Sequence, residues 1–319
     1  MKVKDKSALI FAVAAVSAFA AILAVGTVFD YDISLRLADL DRGSYYSDNA
    51  FARFFEIFGE LPVYLFLDYA AAVFFWNFFY YFKSPLRYIG CGVSAVAISF
   101  LSWIVPYRIH GYFVSLGSAA IKTNLALALF EVGVGVALGT LSLIGVMLSG
   151  KDNIKKQFSF AVYIVSAIAL AQIFRVLKIV NKRVRFRAIN AYGGGDLFTP
   201  WYKYNGYPDS FKNISALAGT VDAVSSFPSG HTLAAGSVFT IVALPYVFEK
   251  LRGGWWKALF YAVSFGYVIT VAVARIVMGA HYFTDVFFSL GVSFFAAEFA
   301  LWLIFRKKAI KPLCAYCGI

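Results

Sequence analysis

The chain has 319 residues, of which 61% are hydrophobic and only 14% charged, and it carries a net charge of +12. A soluble domain averages about 45–50% apolar and about 25% charged residues, so a water-soluble single core is excluded and the bilayer is the expected solvent. The basic excess does not point to nucleic acid, because Lys and Arg flank apolar runs or crowd one connection.

In chain order, apolar runs long enough to span, about 20 residues each, cover 8–29, 62–82, 86–106, 124–149, 158–180, 232–248, 255–277 and 284–305. The first lacks a small-residue cleavage site and reads as a membrane helix rather than a leader. Pro106 and Pro245 are expected to interrupt or end the third and sixth. The expected fold is all-α: a polytopic transmembrane helical bundle of about eight helices, one integral membrane domain over 1–319. The terminal CAYC holds Cys314 and Cys317, one CxxC pair without a second. Together with Cys91 this makes neither a disulfide framework nor a structural zinc site.

Lys and Arg concentrate in cytoplasmic connections. With the N-terminus inside, the cytoplasmic segments hold fifteen Lys and Arg, and the opposite loops 30–61 and 107–123 hold five. Both termini are therefore expected in the cytoplasm. One segment breaks the bias: RVLKIVNKRVRFR, Arg175 to Arg187, falls on the outer side. Alone it reads as a headgroup-facing basic patch. Its functional reading is an anion site, since clustered Arg and Lys hold phosphate through charge-assisted hydrogen bonds.

Two further stretches fall at the same face. FPSGHT opens an apolar run with Pro228, Ser229, Gly230 and His231. Pro suits a first helical turn, Ser229 and Gly230 offer backbone N–H groups, and a helix start attracts anions. His231 can there give a proton to an anion's oxygen. In ARIVMGAHYFTDVFF, Arg275 ends one run, while His281 and Asp285 open the next at i, i+4. That spacing lets Asp285 hold an imidazole nitrogen of His281, the orienting task of a triad carboxylate. Each stretch alone has an ordinary reading, as a helix cap, a structural pair or a snorkelling Arg. Together they put two of the three histidines, one Asp and several cations at one membrane face. His110 has no such company and reads as a loop residue.

The three stretches resemble the signatures of the type 2 phosphatidic acid phosphatase superfamily: K-x6-R-P, P-S-G-H and S-R-x5-H-x3-D. Lys178 and Arg185 match the first, Pro228 to His231 the second, and Arg275, His281 and Asp285 the third. Spacing and order agree, over roughly a third of the chain (175–290). Phe186 stands where the family has Pro. Ala274 stands where it has Ser, removing a hydrogen bond worth about 1 kcal/mol. Lys182, Arg183 and Arg187 offer alternative registers for the first motif.

The resemblance implies that 151–305 form a phosphatase core and 1–150 accessory helices. It implies a lipid phosphate or diphosphate substrate in the bilayer, no metal and no cofactor, at an extracytoplasmic site in a bacterial cytoplasmic membrane. It further implies that His281 attacks phosphorus, oriented by Asp285, that His231 protonates the leaving oxygen, and that Lys178, Arg185, Ser229, Gly230 and Arg275 hold the phosphate. The alternatives are a lipid phosphotransferase of the same superfamily and a non-catalytic binder or transporter of anionic lipid. For a transporter, Asp68 and Glu131 mark the path. Trp201, Tyr202, Tyr204 and Tyr207 read as interfacial aromatics.

Overall fold

A computed structural model of the protein describes residues 3–115, 125–193, 195–205 and 209–306. Cys314, Cys317 and Tyr207 lie outside the described residues. Among those described, every regular element is helical, as a bilayer demands of a chain that must satisfy its own backbone groups. The helices are α1 (Val3–Leu37), α2 (Ala50–Phe58), α3 (Leu61–Tyr81), α4 (Leu86–Ser115), α5 (Leu125–Leu148) and α6 (Lys151–Ile173). Then come short α7 (Leu177–Asn181), α8 (Phe186–Tyr192) and α9 (Asp209–Leu217), followed by α10 (Gly230–Ala235), α11 (Leu244–Val247), α12 (Gly254–Val277) and α13 (Phe283–Leu301). Among the described residues, eight stretches are long and apolar enough to cross a membrane, close to those expected.

One of the two expectations about proline needs correction. Pro106 does not end its helix, since α4 runs on to Ser115. A transmembrane helix tolerates the lost hydrogen bond when its neighbours re-satisfy the freed carbonyl. The sixth span is not one α-helix. Its middle, Gly236–Ala243, winds as 3-10 helix before Pro245 opens α11.

The chain forms two compact units, each built from three segments. One comprises Met1–Arg53, Phe174–Gly230 and Ala272–Gly291, the other Phe54–Ile173, His231–Val271 and Val292–Ile319. In the second, α3 packs against α4, α5 and α6. Polar groups tie these apolar surfaces at fixed points. Tyr69 donates to Gln157 at 2.8 Å, Trp76 to the Leu143 carbonyl at 2.8 Å, and Asn77 to the Ile154 carbonyl at 3.0 Å.

The acidic groups of this unit are equally committed. Asp68 accepts from Ser102 at 2.9 Å and from Ser142. Glu131 pairs with His110 at 2.7 Å. His110 is thus a helical residue of α4 facing a carboxylate, not a loop residue, and Asp68 and Glu131 act as ties between helices rather than as a visible path. Small residues bring α4 and α5 together, as membrane helices require. A Cβ at Gly135 would lie 2.9 Å from the Trp103 Cα.

In the first unit, α1 lies on the start of α13, with Phe19 stacked on Phe287 at 5.0 Å. Beside them a small core of Val184, Phe186, Ile189, Val224 and Tyr282 supports the connection 181–230. Phe186, standing at the family's Pro position, is one of its members.

Gly135→Ala is expected to lower stability in detergent by about 1–3 kcal/mol through overpacking, read as a drop in thermal midpoint. Gly133→Ala, where an added Cβ meets nothing within 4 Å, should leave the midpoint unchanged or higher.

Candidate active site

The spacing from Arg275 to His281 is set by a helix ending. Gly279 sits at φ +66 after the last turn of α12, a conformation glycine takes without steric cost. Its N–H donates to the Ile276 carbonyl at 2.8 Å, and the Ala280 N–H to the Arg275 carbonyl at 3.1 Å. These two bonds are the Schellman ending of a helix. The His281 N–H then also reaches the Arg275 carbonyl, at 3.3 Å. Arg275, buried at the end of α12, and His281, buried before α13, are thereby fixed on one turn.

The His281 ring is oriented by a group that sequence reasoning did not name. Its Nδ1 lies 2.7 Å from the Ser226 carbonyl. A carbonyl only accepts, so Nδ1 carries the hydrogen and the neutral ring presents its lone pair at Nε2. The expected hydrogen bond to Asp285 does not form, because the carboxylate stands 3.7 Å away, too far for one. Asp285 is already committed: Oδ1 accepts from Arg183 at 2.6 Å, and Oδ2 from the Ser226 hydroxyl at 2.5 Å and the Tyr282 N–H at 3.0 Å. It acts on His281 through space and by holding Ser226.

Arg183 has no exposed surface. Its Nη2 donates to Asp30 at 2.7 Å, its Nη1 also to Thr284 at 3.1 Å, and its Nε to the Thr199 carbonyl at 2.7 Å. Asp30 in turn accepts from the Thr284 N–H at 2.8 Å. Tyr282 lies against the guanidinium, 4.0 Å from its ring centre. Burial pushes the Tyr282 phenol well above its ordinary value, so it stays protonated. Arg183 is therefore a buried strut and not an alternative phosphate ligand.

The first motif lies alongside the second through two backbone bonds, Arg185 N–H to the Ala223 carbonyl at 2.9 Å and Ser226 N–H to the Arg183 carbonyl at 2.9 Å. Lys178 donates to the Ser225 carbonyl at 2.7 Å. Arg175, Arg185, Asp222 and Asp285 all lie within electrostatic range of its ammonium. A Cβ on Gly230 would come 2.9 Å from Arg175 Nη2 and 3.5 Å from Lys178 Cε, so a side chain there would push the Arg175 guanidinium away from the backbone. Arg175, outside the expected set, thus stands at the site.

Arg185 is buried and bound to Asp222 at 2.5 Å. Two expected features of the second motif differ. The Ser229 N–H is not open to a ligand but donates to the Asp285 carbonyl at 3.2 Å, and Pro228 precedes α10 instead of opening it.

His231 follows Gly230 directly but groups with the second unit, so its surroundings come from the N-terminal half. Its Nε2 lies 3.0 Å from the Glu56 carbonyl of α2 and its ring 5.4 Å from that of Tyr112 in α4. Tyr112 is itself held by Arg108 at 2.8 Å, and Arg108 by Glu60 at 2.6 Å. Nε2–H therefore donates to Glu56, which leaves Nδ1 as the acceptor of the neutral ring. The helices outside the signatures hold one signature histidine.

Beside the first unit's cluster, a groove of 310 Å³ is lined by Leu177, Trp201, Tyr204, Phe227 and Phe288, among others. Trp201 is more than an interfacial anchor, since it donates to Thr27 at 2.9 Å and packs on Phe227 and Phe288. Tyr202 and Tyr204 are exposed. Among the described residues, no cluster of three or more His, Cys, Asp or Glu is placed to ligate a metal ion.

Residues 160–309 match the family model described as the PAP2 superfamily. The match identifies that segment with the type 2 phosphatidic acid phosphatase superfamily, in a chain whose apolar helices make it an integral membrane protein. At the level of the family, its chemistry is phosphatase-type phosphoester hydrolysis. Neither the curated proteins nor the solved structures give a significant match.

Asp285→Ala strips Arg183 of one of its two carboxylates and leaves the buried guanidinium to Asp30 alone, while the Ser226 hydroxyl loses its acceptor. It is expected to destabilise the protein by about 3–5 kcal/mol, seen as a large fall in thermal midpoint. Gly230→Ala should fold normally yet weaken binding of orthophosphate by crowding Arg175 and Lys178, measured by loss of phosphate protection against thermal unfolding.

Proposed function

We infer that the protein is a metal-independent phosphatase that removes the terminal phosphate of a lipid phosphate or diphosphate at the extracytoplasmic membrane face. One observation supports it above the others: His281 is fixed with Nδ1–H on the Ser226 carbonyl, on a turn shared with Arg275. A histidine bound only for structure has no need of one predetermined tautomer beside a set of cations.

In the proposed reaction His281 Nε2 attacks phosphorus, and the bond from phosphorus to the lipid oxygen breaks. His231 gives that oxygen its proton. Water then attacks the phosphohistidine, passes a proton to His231 and releases orthophosphate and neutral His281. With Nε2–H donated to Glu56, the travelling proton of His231 is carried at Nδ1. The field of Asp285 stabilises the imidazolium-like charge on His281 as the bond forms. Lys178, Arg185, Arg275 and Arg175 hold the oxygens and offset charge in the transition state.

The aromatic groove beginning at Leu177 and Phe227, each next to a motif residue, favours an apolar tail on the substrate. The asymmetry of Lys and Arg in the connections favours the outer face.

Phosphate release in detergent with EDTA should be robust for wild type across a panel of lipid phosphates. It should fall at least about a thousandfold in His281→Ala and in His231→Ala. Brief reaction with a labelled substrate should trap acid-labile phosphate on wild type and on His231→Ala, but not on His281→Ala. Full activity in His281→Ala would end this reading.

A further inference from the structure

Two buried guanidiniums of the first motif share one carboxylate that is half in water. Arg185 Nη2 lies 2.5 Å from Asp222 Oδ1, and Arg187 Nη2 lies 3.5 Å from Oδ2. The arginine side chains are 5% and 3% exposed, the aspartate 51%. Arg187 is further confined between the rings of Tyr45 and Tyr46, at 4.7 and 4.9 Å. Asp222 sits on a short turn, Val221–Val224, begun by Thr220, whose hydroxyl accepts the Asp222 N–H at 3.1 Å. The neighbouring Ala223 carbonyl accepts the Arg185 N–H, so the carboxylate is delivered to the guanidinium by a fixed backbone.

We propose that Asp222 is an internal counter-ion which the substrate's phosphate displaces from Arg185 and Arg187, and that this exchange selects a doubly charged terminal phosphate over a phosphodiester. This rests on reading the site as a phosphate site.

The asymmetry of burial gives the exchange its direction. Asp222, already half hydrated, returns to water at small cost. The two arginines cannot follow it, and a buried guanidinium stripped of its anion is strongly unfavourable. An incoming anion restores the lost counter-charge. A carboxylate brings one charge to two cations, with one short contact and one long. A terminal phosphate brings two charges and three oxygens, enough to bond both forks. A phosphodiester brings one charge and two free oxygens, no more than the aspartate it must evict.

The test uses the full-length protein in detergent at about pH 8, where orthophosphate is mostly doubly charged, with thermal unfolding as readout. Orthophosphate should protect wild type, and dimethyl phosphate, the singly charged diester probe, should protect it little. Asp222→Asn should melt lower than wild type without ligand. It should also bind orthophosphate about five- to tenfold more tightly and now respond to dimethyl phosphate. A merely structural aspartate would give the opposite, and unchanged or weaker orthophosphate binding in Asp222→Asn overturns the proposal.

Wild type supplies a second measurement that needs no folded variant. Coupling of Asp222 to a tagged amine by carbodiimide, scored by peptide mass spectrometry, should rise when orthophosphate is added. No rise also overturns the proposal. Absence of protection by orthophosphate in both proteins would sink the phosphate site itself and this inference with it. Protection without any gain in the variant would sink the inference alone.

Discussion

A guanidinium with no exposed surface must take its counter-charges from the protein, and Arg183 takes two. Its forked nitrogens reach Asp30 on α1 and Asp285 on α13, with Thr284 and the Thr199 carbonyl using its remaining donors. Such a triad is costly to break from any side. It therefore holds together segments that local sequence preference would leave apart. The position of Asp285 follows from it, then that of Ser226, which is bonded to Asp285 through its hydroxyl. The tautomer of His281, bonded to the Ser226 carbonyl, comes last in the chain of dependence.

This arrangement changes what the motif aspartate contributes. In a hydrogen-bonded triad the carboxylate holds the imidazole itself. Here a backbone carbonyl does so, and the carboxylate supplies charge from 3.7 Å while keeping the carbonyl's residue in place. A carbonyl cannot take a proton from the ring, so Nδ1–H stays where it is throughout. The cations are handled by a parallel economy of contacts. Gly230 lets the backbone approach Arg175 and Lys178, and Asp222 keeps Arg185 and Arg187 compensated.

The spans and the three motifs were readable because each leaves a local signal: an apolar run of fixed length, a glycine after a helix end, two charged residues one turn apart. What escaped depends on the pairing of distant residues. Asp30 lies within α1, just past the first apolar run, 153 positions from the arginine it neutralises. Ser226 acts mainly through its carbonyl, which no side-chain pattern reveals. Arg183 stood among five basic neighbours that sequence alone could not tell apart, and burial separates them at once. His110 looked solitary because its partner Glu131 belongs to the next helix. Pro106 misled because proline rules drawn from water overstate its effect in a membrane helix, where donors from neighbouring helices can satisfy the freed carbonyl. The place of the N-terminal half was also invisible, since Glu56 reaches His231 with a main-chain oxygen.

The contact between Asp30 and Thr284 joins α1 to α13, the first and last of the described helices able to cross a membrane, across 254 positions. During synthesis the first is in the bilayer long before the last leaves the ribosome. Until then Arg183 has neither Asp285 nor Thr284, the Ser226 hydroxyl lacks its acceptor, and His281 itself is not yet made. A chain stopped before α13 thus lacks the whole of this hydrogen-bonded cluster. The cluster closes in one step, when α13 enters the membrane and docks on α1, so the order of synthesis sets when the buried charge of Arg183 is fully paired.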